Sequence, residues 1–313
     1  MSAWLPSAPC TPGDCVTVAG PRAGVARRVL RLAGCLTVLL AGVAAAPVVR
    51  ALGRLPAERL VRCWARLLLA SLGVRVRPIA VPGRRVGECA GSLLVSNHIS
   101  WLDVLLIAAV RPGRMLAKTE VGRWPVLGPL TSWGGTIFID RDRLRALPGT
   151  VEEIAAALRR GERVVVFPEG STWCGRGGGR FRPALFEAAV RADVPVQPVT
   201  LRYRTGAGLS TAPAFVGEDG LLPSLWRVVS VRGLAAEVEF LPPLPPTLFP
   251  GRRQLAAAAQ QVVDRRRLPD SSAGCASCPG PAAGGHPSEQ PVHVPGRRAA
   301  AAHAPRERAG LVH

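Results

Sequence analysis

The sequence predicts an α/β fold, a mixed sheet flanked by helices, with an N-terminal membrane-associated helical segment ahead of it. Two observations carry this. From Val74 onward, short apolar runs of strand length alternate with stretches of helical periodicity, as in a sheet covered by helices. Before that point, Leu32 to Val49 is an uncharged apolar run, closed by Arg27, Arg28 and Arg31 on one side and Arg50 and Arg54 on the other.

Taken in order, residues 1–24 are rich in Pro, Gly and small residues and are expected to be loose. The Leu32–Val49 run sits at the lower limit of about 18 apolar residues for crossing a bilayer. Pro47 weakens it, so a spanning and a monotopic or re-entrant helix stay open; a core helix or a late signal peptide ending near Ala44-Ala45-Ala46 are the bland alternatives. Arginines on both flanks leave the orientation undecided. Over 54–72, Leu55, Leu60, Trp64, Leu67, Leu68 and Leu72 recur at helical spacing, with Arg54, Arg59, Arg62 and Arg66 between them. That suits a basic amphipathic helix, lying at a membrane interface or packed on the domain.

Strands are then expected at Val74–Val81, Ser92–Ser96, Arg114–Ala117, Gly135–Asp140, Arg163–Phe167, Val196–Tyr203 and Ala236–Leu241. Helices are expected at Trp101–Val110, Arg143–Arg160, Arg182–Arg191 and Arg252–Arg266. The domain layout that follows is a loose N-terminus (1–24), an anchor and amphipathic helix (25–72), the main domain (73–268) and a disordered Pro/Gly/Ala/His-rich tail (269–313).

The formal net charge of +19 is nearly all arginine; Lys118 is the only lysine. Such a balance suits nucleic acid, an anionic membrane surface or a phosphorylated substrate. Aromatics are only 5% and the arginines are scattered, so no nucleic-acid partner is expected and the membrane is favoured. The eight cysteines show no disulfide framework. Cys275-Ala-Ser-Cys278, with His286 and His293 downstream, is read as an incidental pair in the tail, and no ligand-spaced metal cluster is found in the folded region.

Of five histidines, only His98 lies in that region, so it is the one imidazole available as a general base near neutral pH. It follows an apolar strand in Ser96-Asn97-His98-Ile99-Ser100-Trp101-Leu102-Asp103. The strand-to-helix turn can bring Asp103 back to the imidazole and fix its tautomer, as in hydrolase triads. No G-x-S-x-G nucleophile context accompanies them. A substrate hydroxyl activated by His98 would need no enzyme nucleophile. The bland reading is that Asn97 and Asp103 cap a helix and His98 is a turn residue.

Three later segments complete a pattern: Gly135 to Arg141, Phe167-Pro168-Glu169-Gly170, and Val194-Pro195-Val196-Gln197-Pro198-Val199. With Asn97, His98 and Asp103, they resemble the four motif blocks of the glycerolipid acyltransferase family, which includes 1-acylglycerol-3-phosphate acyltransferases. Lys118-x-Glu120 with Pro125 and Gly128 resembles the segment between the first two blocks. The resemblance covers about residues 55–245.

It implies that His98 takes a proton from the acceptor hydroxyl, that Asp103 orients it, and that Arg141, Glu169 and Gly170 hold the acceptor; Asn97, Ser171 and Arg182 are the further candidate binding residues. A guanidinium such as that of Arg141 suits a phosphate. Glu169 would repel one, so it is expected to accept from a glycerol hydroxyl or to position an arginine. The donor implied is acyl-CoA or acyl carrier protein, a substrate rather than a cofactor, and no metal is required. The acceptor implied is a lysolipid, foremost 1-acylglycerol-3-phosphate, giving phosphatidic acid in phospholipid biosynthesis. Since the donor is cytosolic, the catalytic domain is expected on the cytoplasmic face of the cell membrane.

One departure stands out. Lysophosphatidate-acylating members carry F-P-E-G-T-R, whereas this chain reads Gly170-Ser171-Thr172, with Thr172 at the arginine position. Either Arg176, Arg180 or Arg182 substitutes, or the acceptor has no phosphate. The variant block resembles the lyso-ornithine lipid acyltransferase branch. A non-catalytic lipid-binding membrane protein and a fatty-acid-releasing hydrolase are the alternatives of other classes.

Overall fold

The computed structural model describes residues 8–51, 54–79, 91–123, 128, 135–140 and 143–267. Arg141, Pro125, the end of the expected Val74–Val81 strand and the whole 269–313 tail, with Cys275, Cys278, His286 and His293, lie outside them.

In chain order the elements are α1 (Pro12–Cys15), α2 (Val25–Ala51), α3 (Arg54–Ser71), β1 (Arg75–Ile79), β2 (Ser92–Ser96), α4 (Leu102–Val110), β3 (Arg114–Lys118), β4 (Ile137–Ile139), α5 (Leu147–Arg159), β5 (Arg163–Val166), α6 (Phe186–Ala192), β6 (Val196–Thr205), β7 (Gly208–Leu209), α7 (Leu221–Ser230), β8 (Ala235–Phe240) and α8 (Arg252–Arg267). The strands form one mixed sheet in the order β1-β8-β6-β2-β5-β3-β4, with β7 paired to β6. β2 is flanked by β5 and β6, both parallel to it, while β8 runs antiparallel to β6. The carboxyl ends of β2 and β5 therefore open side by side at one edge.

Apolar alternation along the strands feeds two cores. Leu94, Val165, Val199 and Leu201 face one layer with α3, α4 and α7. Leu93, Val95, Val164 and Val166 face the other, with α5, α6 and α8. Because successive side chains on a strand point to opposite faces, β2 and β5 are buried on both sides and read as continuous apolar runs.

The structure departs from the sequence reading in three places. Residues 8–23 are not loose: Cys10 and Cys15 are fully buried, Thr17 N donates to Thr211 Oγ1 (2.9 Å), and Ala23 N donates to Ser230 O (2.8 Å). α7 was not expected. Its Gly220-Leu-Leu-Pro start reads as a breaker, yet Pro223 falls in the first turn, where a missing N–H costs little. Third, the apolar run belongs to a longer helix, α2, that begins at Val25 and takes in Arg27, Arg28 and Arg31. Arg31 turns inward, its Nη1 donating to Val229 O (2.7 Å) and Val231 O (2.8 Å).

α2 and α3 pack as an antiparallel pair. Trp64 Nε1 donates to Val38 O (2.9 Å) across it, and a Cβ at Gly42 would meet that nitrogen at 2.1 Å, so only glycine admits the indole. By length and composition, Val25–Val48 could cross a membrane. Leu30, Leu36, Leu40 and Val48 on it are exposed.

Candidate active site

The turn after β2 is fixed from three sides. Asn97 clamps it to β6: its Nδ2 donates to Leu201 O (3.0 Å), and Leu201 N donates to its Oδ1 (2.9 Å). Asp103, fully buried in the first turn of α4, collects the next two amides: Oδ2 accepts from Ile99 N (2.6 Å) and Ser100 N (2.9 Å). That same oxygen lies 2.8 Å from His98 Nδ1. Asp103 thus ties down the turn ahead of α4 and holds the imidazole with one and the same oxygen. The amides it meets precede the helix, whose N-cap Trp101 makes no side-chain cap, so the bland reading of Asp103 as a helix cap is not what the structure shows.

Its other oxygen, Oδ1, accepts from the Tyr203 hydroxyl (2.6 Å). Burial pushes the Tyr203 hydroxyl well above its usual range, and the negative charge of Asp103 pushes it further. The phenol stays protonated and remains a donor. With an acceptor on Nδ1, the proton of neutral His98 belongs on Nδ1, leaving the Nε2 lone pair for a substrate. Phe167 stacks on the imidazole, ring centroids 4.0 Å apart and 14° from parallel. The His98 side chain is 21% exposed, so it is reachable from outside.

β5 delivers the second half. After Phe167 the chain turns at Gly170, whose φ of 77° suits glycine and whose N donates to Phe167 O (3.1 Å). This directs Glu169 inward. Its Oε2 accepts from His98 N (2.8 Å); its Oε1 accepts from Gly179 N (3.3 Å) and lies 3.3 Å from Arg267 Nη1. Burial drives the Glu169 carboxyl up to about 8, against the opposing pull of Arg267 and the two amides. Both oxygens are engaged by the protein, so Glu169 braces the histidine turn and pairs with an arginine instead of facing the acceptor.

Ser171 Oγ is buried with no hydrogen-bond partner among the described residues. Thr172 Oγ1 donates to Phe215 O, and Trp173 N donates to His98 O (2.8 Å). Thr172, at the position of the family's arginine, is thus spent on the protein's own backbone. Arg182 is exposed, its backbone N donating to Pro168 O (2.9 Å), and Arg180 is exposed beside it. The structure therefore gathers Asn97, His98, Asp103, Glu169, Gly170 and Ser171, leaves Arg182 at the rim, and does not describe Arg141.

Sequence reasoning missed Tyr203 and Arg267. Tyr203 offered one signal, being the only tyrosine of the chain and the last residue of an expected strand. Arg267 offered none: it is one more arginine in the run Arg265-Arg266-Arg267. The expectation that no metal-ligand cluster occurs also needs correction. Cys10, Cys15 and Cys174 converge with their Sγ atoms all within 4.8 Å of one another. The reading missed them because it took the segment of Cys10 and Cys15 as outside the fold.

A family model described as Acyltransferase matches residues 79–202, a span holding all four motif blocks. The lyso-ornithine lipid O-acyltransferase of Pseudomonas aeruginosa is 34% identical over 248 residues, which are 76% of this chain and 92% of that protein. The chain belongs to the acyltransferase family. A 1-acyl-sn-glycerol-3-phosphate acyltransferase of Neisseria gonorrhoeae is 39% identical over 151 residues, 48% of this chain. The match spans only 59% of that relative's length. The crystal structure of the 1-acyl-sn-glycerophosphate (LPA) acyltransferase PlsC from Thermotoga maritima aligns with a TM-score of 0.58 at 19% identity, covering 79% of this chain and 99% of that one. That likeness establishes the mixed, helix-flanked sheet as the fold of this acyltransferase.

Proposed function

We propose that this acyltransferase moves a fatty acyl group from a thioester, acyl-CoA or acyl carrier protein, onto the hydroxyl of a lysolipid. The observation that carries the reading is the His98–Asp103 pair just beyond the carboxyl end of β2, with Nε2 left free to accept a proton. His98 Nε2 takes the proton of the acceptor hydroxyl as its oxygen forms a bond to the thioester carbonyl carbon. The carbon–sulfur bond then breaks, and the imidazolium returns the proton to the departing thiolate. Asp103 stabilises that imidazolium, and Tyr203, Glu169 and Asn97 hold the turn in place. A non-catalytic lipid carrier has no use for an oriented base of this kind.

The first acceptor to consider is 1-acylglycerol-3-phosphate, giving phosphatidic acid, with Arg141, Arg176, Arg180 or Arg182 meeting the phosphate. A second acceptor, lyso-ornithine lipid, is favoured by Thr172 in place of the phosphate arginine and by the length of the match to the Pseudomonas protein. Losing a charge-assisted contact without replacement costs roughly 1.5–3 kcal/mol, enough to change the preferred acceptor.

The exposed apolar face of α2, with α3 beside it, supports attachment to the cell membrane, where a lysolipid can enter sideways from the bilayer. A cytosolic donor places the catalytic domain on the cytoplasmic side. The test is transfer of label from acyl-CoA by membranes containing the protein, offered lysophosphatidate and lyso-ornithine lipid in parallel, with His98→Ala as control. Product from either acceptor that vanishes with His98→Ala supports the reading and names the acceptor. Product that persists in the variant overturns it.

A further inference from the structure

The three buried thiols lie outside the proton-transfer machinery, and their arrangement is that of a ligand set. Cys10 and Cys15 are separated by four residues, within the two-to-four spacing of zinc-binding cysteine pairs. The intervening Thr11-Pro12-Gly13-Asp14 folds as a single tight turn: Thr11 Oγ1 accepts from Asp14 N (3.3 Å), and Cys15 N donates to Thr11 O (3.1 Å). That turn carries both sulfurs to one side. Cys174 arrives from a loop far along the chain, and all three side chains are thiols with at most 1% exposure.

Zn–S bonds of about 2.3 Å in a tetrahedron put sulfurs about 3.8 Å apart, and the three Sγ atoms here lie within 4.8 Å of one another. A shift of well under an ångström per sulfur closes them onto an ion. Among the described residues no fourth His, Cys, Asp or Glu joins the group.

We propose that Cys10, Cys15 and Cys174 form a site for a thiophilic divalent cation, zinc in class, that fastens the N-terminal segment to the loop framing His98. The connection is short. Trp173, next to Cys174, donates from its backbone to His98 O (2.8 Å), and a Cβ at Gly175 would touch Ile99 Cδ1 at 3.2 Å. On the other side, Thr17 holds Thr211 by two contacts, and Gly217 packs closely under the Cys10 carbonyl. Binding converts three thiols to thiolates with release of their protons. The role is structural and leaves the acyl-transfer steps unchanged.

The experiment uses the full-length chain carrying Cys275→Ser and Cys278→Ser, so that the tail cannot contribute ligands. It is purified reduced, without a metal-affinity tag, then analysed for metal and titrated with Co²⁺. One equivalent of zinc is expected, together with a thiolate-to-cobalt charge-transfer band. Both are lost in Cys10→Ser/Cys15→Ser, and both are kept in Cys63→Ser, which alters an exposed cysteine. Removing the metal from the parent protein is expected to raise amide exchange over 8–23 and 172–175 together, a readout independent of whether any cysteine variant folds. Absence of stoichiometric metal after reconstitution, metal retained in Cys10→Ser/Cys15→Ser, or a disulfide among the three in protein isolated under thiol-blocking conditions would overturn the proposal.

Discussion

Arg267 Nη1, at the last turn of α8, lies 3.3 Å from Glu169 Oε1, 98 residues earlier in the chain. Both side chains are withdrawn from water, Arg267 at 5% exposure and Glu169 at 0%. Arg267 also holds Asp264 at 2.8 Å, one turn back on its own helix. The other Glu169 oxygen supports the His98 amide. The helix α8 therefore reaches the histidine turn through one carboxylate, which makes it part of the site's scaffold.

Glu169 should make stability depend on pH. Its native carboxyl sits at about 8, against an ordinary 4.5, because burial penalises the anion. Between those values the folded protein holds a proton that the unfolded chain has released. Stability from this group is accordingly present at low pH and falls as pH rises through the window, by at most about 1.4 kcal/mol per pH unit. Glu169→Gln removes the titration. Urea midpoints measured across that window should show the wild type losing ground relative to the variant as pH increases; a gap that moves the other way would mean Glu169 is folded as a preferred anion.

Asp103→Asn is expected to be costly. The substituted side chain keeps one acceptor oxygen and puts an amide where a carboxylate oxygen meets either Tyr203 or the cluster of His98, Ile99 and Ser100. With the imidazole no longer held in one tautomer, acyl transfer should fall by about 10³–10⁴-fold, the scale seen when a triad aspartate becomes asparagine. Single-turnover rates with saturating acceptor would check it. A loss under tenfold would show that His98 does not depend on Asp103 for orientation.

Tyr203→Phe isolates the buried hydroxyl. The ring and its packing stay, while Asp103 Oδ1 loses a donor at 2.6 Å in a buried site. Leaving a buried acceptor unmet costs about 1–3 kcal/mol of stability. Turnover should fall by roughly tenfold for a comparable loss in holding the carboxylate, with acceptor KM unchanged because Tyr203 is buried behind Asp103. Steady-state kinetics alongside denaturant unfolding separates the two effects. A raised KM with normal kcat would place the hydroxyl in the acceptor pocket instead.

What was legible follows from how local each feature is. β2 was readable at both ends because Ser92–Ser96 is buried on both faces and bounded by turn residues. His98 and Asp103 were readable because they lie within one turn, five residues apart. Tyr203 and Arg267 were not, since their partners lie 100 and 98 residues away and no local pattern encodes that pairing. Cys10 and Cys15 were misplaced for a related reason. A Pro/Gly-rich stretch has the composition of a loose terminus, and only its tertiary bonds to Ser230 and Thr211 reveal it as part of the core.

Gly178 tests the contact between α8 and the loop. A Cβ there would lie 1.5 Å from Arg267 Nη1 and 2.5 Å from its Cζ. A guanidinium end usually yields, but this one is buried and held by Glu169 and Asp264, so moving it breaks the pair. Gly178→Ala should therefore destabilise by about 1–3 kcal/mol, as overpacking does, and lower activity through the His98 turn. Arg267→Ala alone leaves Glu169 buried without its cation and should also destabilise. Combining the two should cost less than the sum, because the methyl then has room where the guanidinium was. Unfolding free energies of the four proteins in this cycle give the coupling directly. Strict additivity would mean that the glycine is required by its own backbone and not by the arginine above it.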